Sequence, residues 1–327
     1  MQRNARARMR AFLAALLLAS CVPAAQAQAA TGDAVWGANY FPNIVLVSQD
    51  GKPMRFFDDL IKGKVVAINF IYTGCSAACS METARLRHVQ ELLGDRVGKD
   101  VFFISISIDP ENDTPEALKA YAEKFDVAPG WTFLTGNPQE ILRLREKLGL
   151  YMPPAKSKAN GPLDHDLSLI VGNQATGRWM KMSAMENPQL MASQLGEALH
   201  NHKVASKQST SYAVAPVNQK RPSRGEELFR TRCLSCHSIG EVQTARHRRP
   251  IGPDLAKVTK TRERSWLVRW LKEPDVMLAE KDPIATALYN QWNKLAMPNL
   301  RLDGHDIDQL LSFLDEASAA AAAAKKQ

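Results

Sequence analysis

The chain has 327 residues, 45% of them hydrophobic and 7% aromatic. That balance excludes a disordered chain, and the length exceeds the roughly 250 residues at which one hydrophobic core stops growing, so two domains are expected. Half of the formal +8 belongs to Arg3, Arg6, Arg8 and Arg10, ahead of any acidic residue, and the remaining +4 is no electrostatic footprint for nucleic acid.

Those arginines precede an apolar run from Ala11 to Ala19, and Ala25-Gln26-Ala27 offers a small-residue cleavage site. Residues 1–27 therefore read as an export signal, too short to span a bilayer, which needs about 20 apolar residues. Leu18-Ala19-Ser20-Cys21 is a second processing site, at which Cys21 would be cut and acylated. Either route predicts a periplasmic protein, tethered to a membrane only if Cys21 is lipidated. No later run approaches spanning length.

Residues 36–202 alternate strand and helix. "KVVAINFIY" and "VFFISISID" are continuous Val/Ile/Phe-rich runs, the pattern of central strands buried on both faces. A helix is predicted over 77–93. "DTPEALKAYAEKF" opens another, with Asp113 and Thr114 as cap residues and Pro115 in its first turn. "WTFLTG", a helix over 138–148 and the strands "LSLIVG" and "GRWMKM" complete an α/β sheet with helices on both faces. Residues 203–221 lose all periodicity and read as a linker. Residues 222–316 are different in kind, all-α with helices over 223–235, 263–272 and 304–316. An alanine-rich tail, helical or disordered, fills 317–327.

Of the five cysteines, Cys21 belongs to the signal and the others form two close pairs, so each pair should have its own chemistry. Cys233-Leu234-Ser235-Cys236-His237 is the stronger motif. Two thiols two residues apart can add to the vinyl groups of a haem, and the next histidine then lies under the iron. A zinc site would want a second ligand pair, which is absent. Over 222–316 the chain resembles the class I cytochrome c family: Gly225 and Leu228-Phe229 match its first helix. Gly252-Pro253-Asp254-Leu255 matches the loop on the proximal histidine, and Met297-Pro298-Asn299-Leu300 the segment presenting an axial methionine. The resemblance implies one covalent haem c held by Cys233 and Cys236, with His237 and Met297 on the iron. Met277 is the alternative methionine, and Trp266, Leu267 and Trp270 read as pocket wall. A His/Met haem serves electron transfer.

The first pair lies in "NFIYTGCSAACSMETARL". Four residues are about one helical turn, so Cys75 and Cys79 should share a face, with Cys75 at a helix start that favours thiolate. Two soft thiolates suit Cu(I), and a nearby imidazole would complete a three-coordinate site that also takes Cu(II); a redox disulfide is the other chemistry open to them. His165 in "GPLDHDLSL" is the candidate third ligand. "YTGCSAAC", "SISIDPENDTPEALKAY", "WTFLTG" and "LDHDLSLIV" together resemble the Sco/SenC family, thioredoxin-like copper chaperones for cytochrome oxidase. That resemblance implies copper on Cys75, Cys79 and His165. The chain departs from the family in having Ser76 and Ser80 where proline is usual, and no membrane-spanning anchor is expected. Asp109 reads as a residue behind the ligands. Met180, Met182, Met185 and Met191 read as core rather than a copper relay, His200 and His202 as groups ending a helix, and 245–249 as a solvated basic loop.

Dithiol couples lie at about −120 to −270 mV, below a His/Met haem, and move two electrons where haem moves one. The partner matched to the haem is therefore the Cu(I)/Cu(II) couple. The expectation is an exported copper metallochaperone with a fused electron carrier, delivering to a copper enzyme such as a respiratory oxidase and meeting a redox partner protein. The alternative is a thiol–disulfide oxidoreductase acting through Cys75 and Cys79.

Overall fold

A computed structural model describes residues 37, 39–75, 78–151, 167–200, 222–240 and 250–324. The export segment with Cys21, His165, the linker, His202 and the basic run lie outside the described residues. Strands β1 (Val45–Ser48) and β2 (Pro53–Arg55) form a hairpin, followed by a π-helical turn, Phe56–Ile61, and β3 (Val65–Ile71). Helix α1 (Ala78–Leu93) leads to β4 (Val101–Ser107), α2 (Pro115–Lys124) to β5 (Trp131–Gly136), and α3 (Pro138–Lys147) follows. Then come β6 (Ser168–Asn173), β7 (Arg178–Ser183) and α4 (Pro188–Gly196).

The seven strands form one sheet in the order β2-β1-β5-β4-β3-β6-β7. β3, β4 and β5 are parallel neighbours at its centre, and the flanking pairs are antiparallel. β3 is buried at all seven positions because both its faces are covered. Val65 and Ala67 pack with Leu86, Val89, Leu118 and Leu195 of α1, α2 and α4. Val66, Ile68 and Phe70 pack with Phe56 and Leu60 of the π-helical turn and Ile141 and Leu144 of α3. Each such Val, Leu, Ile or Phe side chain, taken fully out of water, contributes about 1.5–3 kcal/mol. The result is a thioredoxin-like α/β region, as expected, with the dithiol segment between the central strand β3 and helix α1. The hairpin and π-helical turn at its edge carry no strong periodicity and were not foreseen.

Three local expectations are corrected. Cys75 precedes the helix, which is described from Ala78, so the two cysteines are not two positions of one helical face. Thr114, not Asp113, caps α2, its hydroxyl accepting from the Ala117 amide at 3.3 Å. Met182 and Met191 pack in the core as expected, but Met180 is exposed on β7. At the end of the α/β region the Ala198 and Leu199 carbonyls accept from Arg178 and Asn173, with His200 buried beside them.

Helix α1 is unusual. Every residue from Glu82 to Gln90 is buried, although six of the nine are polar or charged. Surface helices keep a solvated polar face, so this one must be covered all round. Leu86, Val89 and Leu93 face the sheet. Arg87 pairs with Glu91 at 2.9 Å and Asp126 at 3.3 Å, and Gln90 exchanges hydrogen bonds with the Ala128 backbone. The remaining side meets the second region, whose Ile251 joins the same core cluster as Ala84.

That second region is helical, with no strand among its described residues. Helix α5 (Arg224–Leu228), capped by Ser223, continues as a π-helical turn, Phe229–Cys233. It is followed by α6 (Val258–Thr261), α7 (Arg264–Lys272), α8 (Pro274–Ala279), α9 (Pro283–Gln291) and α10 (Gly304–Ala324). α6, α8 and α9 were not anticipated, and the last helix runs on through most of the alanine tail. α5 crosses α10 at Gly225, where a Cβ would stand 2.1 Å from the Gln309 carbonyl oxygen. Only glycine allows that approach. Arg224 clamps the crossing on Asp306 at 3.0 Å.

Candidate functional site

The Cys233–His237 segment is one helical turn beyond the π-helical turn: the Cys236 and His237 amides both donate to the Cys233 carbonyl, at 3.0 and 2.9 Å. This sets both sulfurs and the imidazole on one wall. His237 Nδ1 lies 2.8 Å from the Pro253 carbonyl, which makes Nδ1 the protonated nitrogen and leaves Nε2 with a lone pair for a metal. Burial holds the His237 pKa below the ordinary range, against the opposing pull of Pro253 and Asp254, so the ring stays neutral as a ligand must. Gly252 closes on the ring so tightly that a Cβ there would lie 3.0 Å from the imidazole. Asp254 staples the loop, accepting from the Ser238 hydroxyl and the Gly240 amide at 2.8 Å and the Ala256 amide at 2.7 Å.

Opposite stands the Met297 loop, tied back by Arg232, which donates to the Leu300 carbonyl at 3.1 Å, and by Asn299, which donates to Asp275 at 2.9 Å. Two adjoining cavities share Cys233, His237, Trp270 and Met297 in their linings, so the histidine and this methionine front the same space. Met277 instead packs into a cluster with Trp270 and Ala285 and lines neither cavity. Trp266 stacks on Trp270 with centroids 5.4 Å apart, and both indoles wall the crevice with Leu267.

The residues present fit a haem. The walls are apolar, the thiols, His237 and Met297 line one slot, and Trp292, which also lines it, has a buried Nε1–H with no partner among the described residues. A haem's propionate carboxylate is an acceptor for such a donor. Burial, and next the neighbouring Cys236, push the Cys233 thiol up to about 12, which disfavours a redox-active thiolate there.

The other pair is built differently. The Cys79 amide, in the first turn of α1, donates to Cys75 Sγ at 3.2 Å, and the Cys75 amide donates to the Tyr72 carbonyl at 3.2 Å. The sulfurs are in contact: the hydrogen bond to Cys75, then burial, push the Cys79 pKa far up, so Cys79 keeps the proton of the pair. The Tyr72 hydroxyl also bonds to Cys75, and burial together with that sulfur raises its pKa to about 12.

Beneath the turn lies Asp113, with no exposed surface. Its carboxylate accepts from the Thr73 amide at 3.1 Å and from the hydroxyls of Thr73 and Ser107. Asp109 plays a lesser part, bonding Asn112 at 3.0 Å and, through its backbone, Ser107 at 2.9 Å. Asp113 thus holds the turn that carries the dithiol, while Asp109 acts on Tyr72 through its charge. Tyr72 and Asp113 are the site residues that sequence reasoning missed, though both lie within the quoted blocks. Among the described residues no cluster of three or more His, Cys, Asp or Glu stands ready for a metal.

Known proteins resemble both regions of the chain. The family model described as SCO1/SenC matches residues 37–200, and the cytochrome c model matches 222–318. A SCO1 protein homolog of Bacillus subtilis is 39% identical over 93 residues, 28% of this chain and 47% of the relative, so the chain spans about half the length of that curated relative. Among solved structures, Bradyrhizobium japonicum ScoI with copper bound is 30% identical, covering 46% of this chain and 94% of that one with a TM-score of 0.40. A SCO1/SenC family lipoprotein from Bacillus anthracis is 28% identical, covering 49% and 94%, TM-score 0.42. This chain belongs to the SCO1/SenC family and carries a cytochrome c domain behind its thioredoxin-like region.

Proposed function

We propose that the protein is an exported copper metallochaperone with a fused one-electron carrier, serving copper-site assembly in a respiratory oxidase or a related copper enzyme. The observation that carries the reading is the thiol pair itself. Cys75 and Cys79 are held in contact at a helix start by Tyr72 and the Asp113 network, a preformed soft bidentate site for copper as cargo. His165, from the segment before β6, is the third ligand. A haem on Cys233 and Cys236 supplies one-electron exchange, which matches copper and not the two-electron dithiol. His237 and Met297 hold its iron, and the apolar walls exclude water. Residues 1–27 export the chain to the periplasm, with Cys21 as the alternative, lipidated start of the mature protein.

Copper stoichiometry on the haem-loaded protein, with Cu(I) and Cu(II), beside His165→Ala, tests this. One tightly held copper, with Cu(II) weakened in the variant, is expected. No copper and a readily reducible Cys75–Cys79 disulfide would replace the reading with a thiol–disulfide oxidoreductase, a chemistry favoured by one observation: Cys79 keeps the shared proton, leaving Cys75 as the attacking sulfur.

A further inference from the structure

Helix α1 ties the two regions together. Met81, Ala84 and Arg85, all on its second and third turns, line the same cavity as Cys236, Ile251 and Trp292. Arg85 is 5% exposed. Among the described residues its one hydrogen bond goes to the Glu186 carbonyl, at 3.4 Å. A guanidinium has five N–H donors and a permanent charge, and burying one against a single long, neutral contact is costly unless another group answers it. Burial pushes its pKa down, and the ionisable neighbours acting on it are Cys236, Arg232, Cys233 and Glu186. Arg232 repels it, and the two cysteines have no thiol left to ionise once they carry a haem. Beyond the Glu186 charge, the group left to answer Arg85 would be a haem held in the cavity it lines.

We propose that Arg85, flanked by Met81 and Ala84, is the thioredoxin-like module's own contribution to the haem site: a fixed cation beside the crevice edge at Cys236, and a lid over that edge. The inference rests on the haem reading of the cavity and does not depend on copper. A nearby cation disfavours the more positive, ferric state, so Arg85 raises the reduction potential. Met81 and Ala84 supply apolar cover. Cys79 precedes Arg85 by six residues, about 9 Å along the helix axis. One helix thus begins on the dithiol and lies across the haem edge two turns later, and an external redox partner reaches that edge only by displacing the chaperone module.

The test uses the full-length, haem-loaded, copper-free protein as wild type, Arg85→Gln, Arg85→Lys and Met81→Ala. Covalent haem content, midpoint potential and the rate of reduction by ascorbate are measured. Arg85→Gln should lower the potential, Arg85→Lys should keep it near wild type, and Met81→Ala should speed reduction several-fold at unchanged potential. Met81→Ala removes no charge and no hydrogen bond, so it keeps the test open if Arg85→Gln folds poorly. A wild-type potential in Arg85→Gln, or an equal fall in both arginine variants, overturns the fixed cation. An unchanged ascorbate rate in Met81→Ala overturns the lid. Wild-type protein without covalent haem would overturn the haem reading and this inference with it, whereas haem present with silent variants overturns the inference alone.

Discussion

The two cysteine pairs differ by one intervening residue, and their surroundings are opposites. Cys233 and Cys236 stand apart on a helical turn, face an apolar slot, and have His237 beside them and Met297 across from them. Cys75 and Cys79 face each other, share a proton, and are held from below by polar groups. Around the haem-motif pair the apolar walls, His237 and Met297 line one space. Around the other, the structure fixes the two sulfurs, and the third donor assigned to them lies 86 residues further along the sequence, at His165. Spacing sets how far apart two sulfurs can stand. What they do is decided by what the surrounding fold brings to them: apolar walls around Cys233 and Cys236, and the polar network of Tyr72 and Asp113 around Cys75 and Cys79.

The sharpest way to break this contrast is to remove one donor from each site. His237→Ala should abolish the low-spin haem spectrum and leave copper stoichiometry unchanged. Cys79→Ser should do the reverse, with copper affinity falling by more than the 10–100-fold that loss of a group behind the ligands typically costs. Optical spectra and copper titration of both variants decide it, and loss of both functions in either variant would mean that the sites are one unit.

Asp113→Asn comes next. It replaces a fully buried carboxylate that satisfies three donors, so about 3 kcal/mol of stability should be lost, read as a fall in denaturant midpoint. Copper affinity should fall about tenfold as the turn loosens. Asp109→Asn is the matched control and should stay within about 0.5 kcal/mol, because its partner Asn112 is exposed. Gly225→Ala acts on the haem module alone. Its Cβ meets the Gln309 backbone, and prising α5 from α10 should cost about 1–3 kcal/mol with copper binding intact.

How much of this was legible in the sequence follows from range. β3, β4 and β5 announce themselves because a strand buried on both faces is apolar at every position. The haem slot is legible because Cys233, Cys236 and His237 are adjacent in sequence, and Met297 is recognisable beside Pro298. Asp113 was misread as a helix cap: Asp and Thr are both good caps, and no local pattern says that Thr114 takes that role while Asp113 turns inward to Thr73, 40 residues away. The helix over 77–93 is borne out from Ala78 onward, but a four-residue spacing cannot tell a cysteine that precedes the helix, Cys75, from one inside it. The burial of α1's polar residues has no local signal, because it depends on distant partners: Arg87 is covered by Glu91 and Asp126, and Arg85 lines a cavity with the second region.

The smallest predicted effect concerns the shared proton. A thiol whose pKa is raised in the folded state binds its proton more tightly there than in the unfolded chain, whose cysteine titrates near the ordinary 9.0. Above that pH the folded state holds more protons than the unfolded one, so stability falls as pH rises; below it the contribution is fully present. By half a unit above 9 the loss is slightly under about 1 kcal/mol, and it then approaches about 1.4 kcal/mol per pH unit. In the haem-loaded protein Cys233 has no thiol to titrate, which isolates Cys79. Denaturant midpoints of reduced, metal-free protein should therefore fall faster with pH between 8 and 10 in wild type than in Cys79→Ser, since every other titrating group is common to both. Oxidising the pair to a disulfide should remove the difference, because neither sulfur then carries a proton. Parallel slopes would mean that the two sulfurs do not share one, and the contrast between a proton-sharing pair and a cofactor-bound pair would fail at its first site.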